Sequence, residues 1–153
     1  MEYEKLLNKL YDENIEVYEF PFKGKGKGYY FDNSIALNSK IDTEVERKCI
    51  IAEEYGHHKT SYGNITDQND VNNRKQEHLA RKVAASYLID FFDIINAYEN
   101  GYRTDYEIAE HIGVTDEFFL ESIEYYRQIF GLKPKIIGNY HIYFEPRLMI
   151  IEK

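Results

Sequence analysis

The sequence predicts an α+β fold that is mainly helical, with a small antiparallel sheet near the N-terminus and a C-terminal part built of helices and strands. Apolar residues recur at helical spacing over several long stretches, and short strand-like runs fall at 15–20, 29–38 and 135–152. Turn residues separate these runs. The 153 residues, 43% of them hydrophobic, are enough to bury the core of one ordinary domain. Residues 1–100 read as its core, and residues 101–153 as a helical hairpin with terminal strands packed on the same domain.

Leu6, Leu7, Leu10 and Tyr11 mark a first amphipathic helix over 3–14, and IEVYEF then alternates as a strand. FPFKGKGKGYY places Lys23, Lys25 and Lys27 between glycines. It has neither the GK[ST] of a phosphate loop nor the GxGxxG of a dinucleotide site, and reads as a flexible, solvated connection between strands. YYFDNSIALN predicts a hairpin turning at Asp32 and Asn33, residues that tolerate a left-handed backbone. The capping-box spacing of Thr43 and Glu46 starts a second helix, which runs to about Thr60. A third, long helix is expected from Asn72 to Tyr98, with Leu79, Val83, Ala84, Tyr87, Leu88 and Phe91 as its apolar stripe. Beyond it come a short helix, a break at Gly113, a helix capped by Thr115, and one or two closing strands.

Composition narrows the function. The net charge of −8 argues against general affinity for nucleic acid. The stretch IAEHIGVTDEFFLESIEYYR resembles a helix-turn-helix in spacing. Residues 102–131 nevertheless carry seven acids against Arg103 and Arg127, which points to a protein-contacting hairpin instead of a DNA reader. Cys49 is the single cysteine, so no disulfide framework exists within the chain. The N-terminus lacks a signal-peptide pattern and no window reaches membrane-spanning length, so a cytoplasmic protein without a membrane partner is expected.

The chemistry concentrates in AEEYGHHKT. Residues four apart on a helix share a face, so Glu53 and His57 converge as the two histidines of HExxH do, and Glu54 takes the position of the general base. The alternative register pairs Glu54 with His58 and puts Tyr55 at the base position, where a phenol is a poor base at neutral pH. Gly56, a costly helix residue, suits close packing beside His57. A catalytic zinc needs a third ligand. The next helix offers Glu77, with Ala80 and Ala84 on the same face to let the two helices approach.

AEEYGHHKT, followed by NRKQEHLARKVAASYLI, resembles the ImmA/IrrE-type metallopeptidases, many of them carried by phages and mobile elements. Their pattern of HExxH followed by E-x-x-A-x-x-[FV]-A is matched by Glu54 and His57 and by Glu77, Ala80, Val83 and Ala84, with Glu53 in place of the first histidine. The likeness covers roughly residues 1–100, and the remainder is similar to the tails of phage-borne members. It implies a zincin-like fold, a zinc ion or another divalent metal held by Glu53, His57 and Glu77, and Glu54 as general base. The implied substrate is a repressor-type transcriptional regulator. The alternative is a weakly metal-binding or inactive relative that acts as a protein-binding regulator. His58 reads as an exposed neighbour of the site, His78 as a surface residue, His111 and His141 as structural residues, and Tyr62 as a candidate oxyanion helper.

Overall fold

The computed structural model describes residues 1–60 and 71–153, with residues 71–73 described at the level of their backbone. Tyr62 therefore lies outside the described residues. The fold is α+β, as the sequence predicts, and the chain divides into two compact units, Met1–Leu88 and Ile89–Lys153. Among the described residues no helix is long and apolar enough to cross a membrane.

The first unit begins with α1 (Tyr3–Asp12), which buries Leu6 and Leu10 completely. Asn14 turns the chain through a left-handed backbone into β1 (Glu16–Phe20). β2 (Gly28–Phe31) and β3 (Ser34–Asn38) form the expected antiparallel hairpin, and both turn residues, Asp32 and Asn33, are left-handed at φ 47° and 58°. β1 joins the far edge of β3 in parallel, so the sheet order is β1-β3-β2 and this sheet is mixed where an antiparallel one is expected. Residues 21–27 carry the chain across β3 from one edge to the other, a path that turn chemistry does not encode.

The Lys/Gly segment is exposed, as predicted, but it is also anchored. The buried Asn38 side chain donates to the Gly26 carbonyl at 2.8 Å and accepts from the Phe22 amide at 3.2 Å, and Lys40 Nζ donates to the Phe22 carbonyl at 2.8 Å. One sheet face, through Ile35 and Leu37, is buried in a core shared with Leu6, Leu10, Ile50, Ile51 and Tyr55. The opposite face leaves Tyr18, Phe20, Tyr29 and Phe31 about half exposed or more.

α2 (Glu44–Thr60) starts where Thr43 Oγ1 accepts the Glu46 amide at 3.2 Å. It buries Cys49, Ile50, Ile51, Ala52, Tyr55 and His57, and packs against α3 (Val71–Leu88). In α3 the buried residues include Ala80, Ala84, Ala85 and Leu88, whereas Leu79 faces solvent although the predicted stripe includes it.

The expected long helix ends at Leu88. Asp90 caps a new one, α4 (Phe91–Glu99), by accepting the Phe92 amide while the Asp93 side chain accepts the Asp90 amide. This reciprocal capping outweighs the apolar periodicity that runs through it. α5 (Asp105–Ile112) and α6 (Asp116–Phe130) follow, capped by Thr104 and Thr115, with Gly113 left-handed between them as predicted. β4 (Lys135–Ile137), β5 (Tyr140–Tyr143) and β6 (Met149–Glu152) form an antiparallel meander of three strands, one more than the sequence reading. The second unit's core joins helix to sheet through the Phe91, Tyr126, Phe130 and Phe144 rings, and Arg127 Nε donates to the Phe144 carbonyl at 3.0 Å.

Candidate metal centre

The pairing of α2 with α3 is set by their small residues. A Cβ on Gly56 would stand 2.1 Å from the Ala80 carbonyl oxygen and 3.1 Å from its Cα, so only glycine allows the approach. One residue on, His57 Nε2 lies 3.4 Å from Glu77 Oε1. The Gly56–Ala80 contact thus holds an imidazole from one helix against a carboxylate from the other.

Glu54 is covered from the other side. A Cβ on Gly28 of β2 would meet Ile50 Cγ2 at 2.6 Å and Glu54 Cγ at 3.3 Å, with Glu54 Oε1 at 3.4 Å, so the strand lies directly on this carboxylate. Burial raises the Glu54 carboxyl to about 7; His57 opposes the shift and Glu77 adds to it. Burial works against a charge on His57. The hydrogen bond that it donates to Glu77 and the charges of Glu54, Glu77 and Glu53 outweigh it, and the imidazole is shifted upward. The same hydrogen bond holds Glu77 below the usual carboxylate range against its desolvation, with help from the charges of His57 and Arg81.

His58 faces elsewhere. Its Nδ1 is 2.7 Å from the Tyr30 hydroxyl, and its ring stacks on Tyr55 at 6.1 Å. Burial, with the charge of Lys59, lowers its pKa. Tyr55 hydrogen-bonds Glu13 at 3.1 Å and packs on Tyr87 at 4.6 Å, which braces α2 between α1 and α3. His78 is exposed on α3, and His111 Nε2 meets Asn96 Oδ1 at 2.7 Å in the second unit. His141 Nδ1 is buried without a hydrogen-bond partner among the described residues.

Donors at about 2.0 to 2.2 Å from zinc on adjacent corners of a tetrahedron stand about 3.3 to 3.6 Å apart. The His57–Glu77 separation of 3.4 Å fits two such corners. Glu53, one turn before His57, acts on its charge, but no group of three His, Cys, Asp or Glu side chains is gathered for a metal among the described residues. The arrangement therefore joins His57 and Glu77, and the charges of both Glu54 and Glu53 act on the imidazole.

The family model for the IrrE N-terminal-like domain, a peptidase family, matches residues 11–124. The chain belongs to this family. Membership gives a metallopeptidase-type function, which implies a metal cofactor and a protein substrate. No curated protein matches the chain, and no solved structure does. Beside Glu54 the structure adds a residue that the helix spacing does not include. Gly28 forms the lid of Glu54, and its signal in the sequence is a glycine opening a strand, which marks close backbone approach.

Proposed function

We propose that the protein is a zinc-dependent endopeptidase that cleaves a repressor-type regulator of a phage or mobile element. His57, Glu77 and Glu53 would hold the ion, and Glu54 would serve as general base. The observation that carries this reading is the His57–Glu77 pair at 3.4 Å, locked by the Gly56–Ala80 contact.

Zinc, when bound, supplies Lewis acidity: it acidifies water and polarises a peptide carbonyl. The Glu54 carboxylate then takes the proton of the attacking water and passes it to the leaving amine. Its place beneath β2 keeps it out of bulk water, which strengthens its interaction with a neighbouring charge. β2 is an edge strand of its sheet, so an extended substrate could lie along it beside Glu54.

The test is metal analysis of untagged protein. One zinc per chain, lost in His57→Ala and with a drop in thermal stability on chelation, is the expected result. Absence of stoichiometric metal, with no effect of chelator, sinks this reading in favour of a regulator that binds its partner without cutting it.

A further inference from the structure

We propose that the open edge of β6, with the groove beside it, takes an extended acidic peptide segment as an added strand. The order β4-β5-β6 leaves β6 at the rim of its sheet. The Lys153 amide donates to the Asn139 carbonyl at 2.7 Å, which makes these two residues a hydrogen-bonded pair. Alternation along the antiparallel register then makes Ile151–His141 and Met149–Tyr143 bonded pairs, and places Ile150 and Glu152 in non-bonded ones. The N–H and C=O groups of Ile150 and Glu152 therefore point away from β5. Neither amide has a backbone partner among the described residues.

A groove of about 640 Å³ runs along this edge. Five consecutive residues, 147 to 151, border it, as a groove on a strand edge requires when alternate side chains point to opposite faces. Tyr98, Ile108 and Leu148 give it apolar walls.

Charge decides the occupant. The charged side chains lining the groove are Arg103, Arg147 and Asp105, a net positive site on a chain of net charge −8. Arg147 makes no ion pair among the described residues. Arg103 lies 4.0 Å over the Tyr98 ring and spends Nη1 on the carbonyls of Tyr98 and Tyr102, which holds the guanidinium in place at the wall. A positioned guanidinium is a fork for a carboxylate. Backbone pairing supplies affinity without sequence, and the two arginines select an acidic segment. This site lies in the second unit and stands apart from the metallopeptidase reading.

The test uses the full chain and a fluorescein-labelled, end-blocked hexapeptide of alternating glutamate and valine, followed by anisotropy at physiological salt. Three comparisons accompany it: the lysine–valine peptide, the glutamate–valine peptide N-methylated at alternate residues, and the exposed-site variant Arg147→Glu. The glutamate peptide should saturate, with the lysine peptide and the variant each about ten-fold weaker. N-methylation on the pairing side should remove binding. No binding of the glutamate peptide, equal binding of the lysine peptide, unchanged affinity in Arg147→Glu, or full affinity after N-methylation in both alternate registers would each overturn the proposal. Hydrolysis plays no part in the readout, so a failed metal analysis leaves this result interpretable.

Discussion

Gly56 of α2 lies against the backbone of Ala80 in α3, so that a single added methyl would overlap the Ala80 carbonyl oxygen at 2.1 Å. The opposing atom belongs to a helix backbone and cannot swing aside. Gly56→Ala gains up to about 1 kcal/mol of helix propensity, but overpacking of this kind costs about 1 to 3 kcal/mol. A net loss of about 1 to 2 kcal/mol, read as a lower urea midpoint with an unchanged slope, is expected. The same variant should bind zinc more weakly, because His57 and Glu77 are carried apart with the helices.

Glu54→Gln separates chemistry from binding. Glutamine keeps the shape under Gly28 but cannot accept a proton, so under the proposed function peptide cleavage should fall by about a hundred-fold or more. Zinc content should stay as in the parent protein. Surviving cleavage would show that the base lies elsewhere.

The break between α3 and α4 rests on a reciprocal pair of side-chain caps, Asp90 on the Phe92 amide and Asp93 on the Asp90 amide. Asp90→Ala should cost about 1 kcal/mol, and Asp93→Ala less. The double variant should cost less than the sum of the two singles, because each cap positions the other. Thermal unfolding of the three variants at neutral pH checks this.

Alkaline pH addresses the core of the second unit. Burial, with the charges of Tyr125 and Asp90, pushes the Tyr126 hydroxyl up to about 12. A folded pKa above the unfolded value near 10 means that the stabilisation is present below pH 10 and lost as pH climbs toward 12. By pH 11 this one group should remove about 1 kcal/mol. Tyr126→Phe should flatten that part of the urea-midpoint profile between pH 9 and 11, while the remaining tyrosines still titrate.

Much of the site was legible because helical geometry is periodic. The spacing of Glu54, His57, Glu77, Ala80 and Ala84 carried over directly into the α2–α3 pairing, and Gly56 marked its tightest point. The signals that misled were those in which two local rules competed. Apolar periodicity ran on past Leu88, and the Asp90–Asp93 pair stopped the helix all the same. Leu79 matched the stripe by spacing but lies on the outer side of α3. The parallel pairing of β1 with β3 depends on which edge of a hairpin a preceding strand meets, and local turn chemistry does not encode that. In the sequence Gly28 reads as one more glycine of a loop, and its role is visible only once β2 is laid over Glu54.

Cys49 is the chain's single thiol, 4% exposed and two turns ahead of His57 on the same helix. A thiol reagent meets it only when α2 opens. The protein thus carries an internal clock for the helix that bears its chemistry. The rate at which Cys49 is labelled, with and without added metal, measures how firmly that helix is held shut.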